Sequence, residues 1–254
     1  MTRFLSAFAI VALAATVVAE QRRADYDTER VSRTVKLGSG GTLRLKNFSG
    51  RVSITGADRS DVAIDAVRSA PRERLERIKL DIHTDGSTLV IDANHYDRSW
   101  FDWSSRNNVV ETEFTIRVPA RTNLDVSVFS SPVEIVGVEG SHKVHAFSAK
   151  LRLEDVSGPV QAHTFSGPVE IRTSSWGDDR TIDVDTFSGN INVHVPESAH
   201  ADVSFRSFSG RLTSDMPMTL RSGSRKSLSA TLGGDARGGR LRFKTFSGNV
   251  RIDR

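Results

Sequence analysis

The residues best suited to chemistry stand at one fixed offset from a recurring phenylalanine. Two places before Phe147, Phe165 and Phe187 lie His145, His163 and Asp185. Two imidazoles and a carboxylate are competent ligands for zinc or a similar ion. They would occupy adjacent rungs if the repeats stack in register. The same offset also holds Ser127, Arg206 and Lys244, and Arg206, next in sequence order, would oppose a bound cation. The bland reading is an ordinary solvated ladder of polar side chains, and it weighs more, because ligands on a flat exposed face do not converge.

A second candidate is the run from His95 to Trp103, which holds Tyr96, Trp100, Phe101 and Trp103 and lacks clean strand alternation. Aromatic side chains on a loop make platforms for sugar rings or anchors for protein partners. The competing role is a flap over the open end of a repetitive array, whose terminal unit must be covered; the two roles are compatible. Nothing else reads as catalytic. There is no Gly-x-Ser-x-Gly, no His-Glu-x-x-His and no phosphate-binding loop. The chain has no cysteine, hence no thiolate nucleophile and no disulfide. Its serines recur copy after copy, whereas a nucleophile is singular. The sequence therefore predicts a protein that is not an enzyme and calls for no cofactor.

What must position these residues is the repeat itself. An aromatic-serine phrase occurs at Phe48, Phe129, Phe147, Phe165, Phe187, Phe208 and Phe246, usually followed by glycine. Four residues after each Phe stand Val52, Val133, Leu151, Val169, Ile191, Leu212 and Val250. Three before stand Leu45, Val126, Val144, Ala162, Val184, Phe205 and Phe243. Apolar residues at steps of two mark strands buried on one face. The buried parity changes across the phrase, which requires a bend, and Ser-Gly supplies one. Each copy reads as strand, corner, strand, with the Phe packed just inside the corner as part of a buried aromatic stack.

The steps Phe129–Phe147 and Phe147–Phe165 are both 18 residues, and half-period echoes occur at Val138-Glu139-Gly140 and Val156-Ser157-Gly158. Two short strands and two turns per coil describe an all-β solenoid or β-roll with like residues stacked on like. The outward column Glu134, Arg152, Glu170 alternates in sign, as neighbouring strands prefer. The 38-residue step from Phe208 to Phe246 reads as a coil with inserted turns.

Arg3 and the apolar run from Phe4 to Val18 predict a secretory signal peptide over residues 1–19. Residues 20–119 read as a more irregular β region, continuous with or packed on the solenoid. It contains a short helix after Pro71 and a hairpin turning at Asp85-Gly86. Residues 120–254 read as the solenoid proper, and no later stretch reaches transmembrane length. The formal net charge is +4, spread along strands and not gathered in a patch, which argues against nucleic acid as a partner.

The run from Phe114 to Val128 (FTIRVPARTNLDVSV), the serine-glycine strand repeats after it, and the terminal FSGNVRI from Phe246 to Ile252 resemble a bacterial family called "putative adhesin". The resemblance spans Val31 to Arg254. It implies a solenoid-like fold and an adhesive or envelope role, and brings no catalytic residues with it. The expectation is a non-catalytic exported protein, periplasmic, cell-surface or secreted. It would present a repetitive sheet surface to an envelope polymer, a glycan or a surface protein. The alternatives are a polysaccharide-active β-helix enzyme and an envelope-stress or signalling accessory protein.

Overall fold

The computed structural model of the chain describes residues 26–96, 109–224, 226–234 and 238–254. The leader expected over residues 1–19, and Trp100, Phe101 and Trp103, lie outside them. The N-terminal part is built from β1 (Asp27–Lys36), β2 (Thr42–Ser49), β3 (Val52–Ala57), β4 (Asp61–Ala70), α1 (Arg72–Arg77), β5 (Ile78–Asp85), β6 (Thr88–Tyr96) and β7 (Glu111–Pro119). Paired strands follow: β8 (Asn123–Ser130) with β9 (Val133–Val136), β10 (His142–Ser148) with β11 (Leu151–Glu154), and β12 (Val160–Ser166) with β13 (Val169–Arg172). Next come β14 (Thr181–Ser188) with β15 (Ile191–His194), and β16 (Ala201–Ser207) with β17 (Leu212–Ser214). A hairpin of β18 (Met218–Gly223) and β19 (Ser227–Leu232) precedes the last pair, β20 (Gly239–Ser247) and β21 (Val250–Asp253).

These strands form two facing sheets. One runs β1-β4-β7-β3-β9-β11-β13-β15-β21-β17 and the other β18-β19-β16-β20-β14-β12-β10-β8-β2-β6-β5. The long strand of each pair lies in the second sheet and the short strand in the first. Each Phe-Ser corner therefore carries the chain from one sheet to the other, making a flattened β-solenoid. Stacking is parallel and in register: Val126, Val144, Ala162 and Val184 are successive partners, as are Val133, Leu151, Val169 and Ile191. Strands of the N-terminal part join the same sheets, β2 beside β8 and β3 beside β9. The main apolar core extends from Leu37 to Ile252, and Ala70, Ile78 and Val110 form a smaller cluster beside the helix.

The corner is tight because successive coils almost touch there. A Cβ added to Gly167, whose φ is +122°, would lie 2.1 Å from the carbonyl oxygen of Ala149 on the coil beside it. Only glycine combines that conformation with that approach. The residue preceding each Phe is buried, and in three copies (Asn47, Thr164 and Ser207) its side chain ties the corner. Ser207 Oγ accepts from the Gly210 N–H at 2.5 Å, and Asn47 Nδ2 donates to the carbonyl of Thr112 at 2.9 Å. At the opposite corner, Glu139 bridges Arg121 and Ser157, as the half-period echo anticipates.

Two expectations need correction. The phenylalanines stack but are not buried: they are 39–58% exposed. Parity decides this, since residues three and one before the Phe point inward and the Phe itself must then point out. The coils also do not stack in sequence order. Strand β20 enters between β14 and β16, so Lys244, not Arg206, is the neighbour of Asp185. The far edge of β16 is occupied by β19, and the returning chain takes the inner side.

A buried polar pair lies near the opposite corner. His142 stands in a column otherwise filled by Leu43, Leu124, Val160, Ile182, Val203 and Leu241. Its Nε2 is 3.1 Å from the carbonyl oxygen of Ser157, and burial pushes its pKa down to about 4. The guanidinium of Arg180 donates to the carbonyl of Val156 at 2.6 Å, and burial lowers its pKa to about 10.

Candidate functional site

The second sheet's outer surface carries a continuous aromatic rail. Along the stack, the rings follow the order Phe48, Phe129, Phe147, Phe165, Phe187, Phe246, Phe208. Ring centroids are 4.5–4.9 Å apart and planes deviate by 1–13°. Six such steps, each close to the spacing of hydrogen-bonded strands, extend the rail about 29 Å. The spacing is imposed by the backbone ladder, and the rings follow it.

Beside the rail runs a groove of about 1010 Å³. The phenylalanines form one bank. The floor is the column one residue earlier, including Val128, Ala146, Thr164 and Thr186, whose methyl groups continue the apolar lining. The other bank is the column two residues before each Phe: Lys46, Ser127, His145, His163, Asp185, Lys244 and Arg206. Apolar ring edges thus face a polar wall across a floor of small side chains.

The polar wall is neutralised along its middle and cationic at one end. His145 and His163 stack at 5.1 Å, and Asp185 accepts from Lys244 Nζ at 3.0 Å. At the β16 end, Lys226 Nζ lies 4.6 Å from the ring centroid of Phe208. Arg206 has no carboxylate partner among the described residues. A second hollow of about 420 Å³ adjoins this end, lined by Arg221, Arg240 and Arg242 together with Arg206 and Lys244. Of these, Arg221 pairs with Asp202 and Arg242 with Asp183.

The candidates read from sequence divide clearly. His145, His163 and Asp185 do occupy successive rungs. Among the described residues, however, no three His, Cys, Asp or Glu side chains converge as metal ligands. The two rings lie face to face, and the carboxylate turns to Lys244. Tyr96 ends β6, whose neighbouring residues Asp92 and Asn94 line the groove at its Phe48 end. Of the charge ladder, Arg152 lies 3.9 Å from Glu134 on the adjacent rung, whereas Glu170 pairs with Arg172 of its own strand at 3.7 Å. The rail is the feature that sequence reasoning placed in the interior, although alternation alone puts it outside.

Residues 133–253 match the family model described as Toastrack DUF4097. No curated protein is similar to the chain in sequence. Among solved structures, it is similar to a "putative cell adhesion protein" from Clostridium sporogenes, with 12% identity, a TM-score of 0.55, and coverage of 89% of this chain and 99% of that one. A "putative adhesin" from Bacteroides fragilis aligns over 88% of this chain and 97% of its own, at 12% identity and a TM-score of 0.34. At these identities the likeness concerns the fold alone.

Proposed function

We propose that this chain, which carries a Toastrack DUF4097 domain over residues 133–253, is a non-catalytic binding protein of the bacterial cell envelope. It engages an envelope component along the phenylalanine rail. The observation that carries the reading is the rail: seven phenylalanines in one unbroken exposed column. Large contiguous apolar surface on a folded protein marks an interaction site. Here the solenoid repeats it at every coil, which suits an extended partner.

The name of the similar Clostridium sporogenes protein, a "putative cell adhesion protein", agrees with this reading, as does the apolar leader expected at the N-terminus, which would deliver the chain to the periplasm or the surface. The charges on the first sheet support a non-catalytic role. Glu134, Arg152, Glu154, Glu170 and Arg172 neutralise one another in an exposed lattice. A glycan-cleaving pair would require two carboxylates facing one bond.

The test is sedimentation of the purified chain with isolated envelope fractions, beside a Phe147→Ser/Phe165→Ser variant, with release of reducing ends assayed in the same tubes. Saturable binding that falls at least tenfold in the variant, without product, is expected. Undiminished binding by a folded variant would remove the rail from the function, and product release would overturn the non-catalytic reading. A parallel Trp100→Ala/Trp103→Ala variant asks whether the aromatic segment contributes to the same binding.

A further inference from the structure

The orientation of the rings restricts what the rail can hold. Each internal phenylalanine has a neighbouring ring on both faces, and the outer face of Phe208 is approached by Lys226 at 4.6 Å. Sugar rings bind aromatics by lying on their faces, so along the internal rings from Phe129 to Phe246 a glycan finds only ring edges. A peptide strand finds no help either, because every strand bordering the groove is already paired on both sides. Ring edges and a floor of methyl groups, continuous over about 29 Å, suit a linear hydrocarbon. In the middle of the polar wall the one carboxylate, Asp185, is already paired with Lys244 and makes no demand for a cation from what lies alongside.

The two ends of the groove differ. At the Phe48 end, Lys46 stands beside Asp92 on the adjacent strand. At the other end, Arg206 and Lys244 line both the groove and the neighbouring hollow, with Arg240 in that hollow and Lys226 close by. Arg206 and Arg240 have no carboxylate partner among the described residues, and guanidinium groups favour phosphate. Resting on the rail reading above, we propose that the groove binds a phosphate-headed amphiphile with one long acyl chain. The chain lies along Phe147, Phe165 and Phe187, and the phosphate lies between Arg206 and Arg240, beside the Lys244–Asp185 pair. An extended chain of about 16 carbons, at about 1.25 Å per tetrahedral carbon, spans roughly 20 Å and fits within the rail with room for the head.

The experiment is titration calorimetry of the purified full chain with 16-carbon lysophosphatidylglycerol below its critical micelle concentration. Parallel titrations use the 8-carbon homologue, 16-carbon lysophosphatidylcholine and free glycerophosphoglycerol. Vesicles of phosphatidylglycerol and the envelope sedimentation assay complete the set. With each methylene about half buried, removing eight carbons weakens binding roughly a hundredfold. The zwitterionic head, or an Arg206→Gln/Arg240→Gln variant, weakens it about fivefold, and added salt erodes that difference. Phe165→Ser/Phe187→Ser weakens it more than tenfold. The chain-length series uses the unaltered protein and so stands even if that variant does not fold.

Equal affinity for both chain lengths overturns the proposal. Binding only to vesicles, and not to monomeric lipid, also overturns it in favour of a membrane surface. Absence of lipid binding with rail-dependent envelope binding intact refutes the ligand and leaves the rail. Loss of both refutes the two readings together.

Discussion

A serine in place of Phe165 measures how far the rail is surface and how far it is core. The ring is about half exposed and stacked on Phe147 and Phe187, each at 4.9 Å. Its removal uncovers roughly 100 Å² of apolar contact, which at about 25 cal/mol per Å² is ~2.5 kcal/mol. The compact unfolded chain takes back part of that area, and stacking adds something of similar size, so ~2 kcal/mol is expected. No cavity forms, because water fills the gap. Phe243, by contrast, is 1% exposed and lies in the core. Its replacement by serine leaves a cavity and a buried hydroxyl, and costs about 5 kcal/mol or more. Urea unfolding followed by far-UV circular dichroism compares the two. Thermal midpoints should fall by roughly 4–8 °C for Phe165→Ser. A loss above about 4 kcal/mol would make the rail structural core. A loss below about 0.5 kcal/mol would mean that the rings do not stack in solution.

Four further outcomes follow from the geometry. Gly167→Ala forces a Cβ onto the Ala149 carbonyl at positive φ and should cost at least about 3 kcal/mol in urea unfolding. Gly86→Ala, at φ +57° in open space, should cost only about 1–2 kcal/mol in the same measurement. His142 binds its proton near pH 4 when folded and near 6.5 when unfolded, so the unfolded chain holds the extra proton between those values. Its stability contribution is complete above pH 6.5 and is lost as pH falls toward 4, by about 3 kcal/mol. His142→Met should flatten that part of the urea-midpoint profile against pH. Because Asp185 is paired with Lys244 and the two histidines are stacked, a tenfold excess of zinc should move the thermal midpoint by less than about 1 °C.

The solenoid was legible because its constraint is periodic. Val144 and Leu151 on either side of Phe147 show the buried parity of both strands, and the same offsets recur in each copy. Parity also places Phe147 outside, whereas the size and apolarity of the ring, taken alone, favour the interior. A large apolar side chain is buried only where the strand points it inward, and a stack of rings is stabilised by neighbours in its own column as well as by a core. The insertion of β20 between β14 and β16 left no mark in the columns, because every copy fits every slot equally well. The cationic end of the groove depends on that insertion: Lys244 reaches Asp185 and Arg206 is displaced to the edge. His142 left a signal of another kind, one polar residue in a column of leucine, isoleucine and valine. Such an exception is readable once the column is known, though its depressed basicity depends on the depth of burial.

The account stands on the claim that the rail is where the partner sits. The most direct measurement is photo-crosslinking in living cells, with a benzoyl-phenylalanine placed at Phe165 and, as a control, at Glu170 on the outer face of the opposite sheet. Both substitutions occupy outward positions, so folding is preserved in each. The account predicts a discrete crosslinked envelope component from position 165 and none from position 170. Equal labelling from both faces, or labelling from 170 alone, would contradict it.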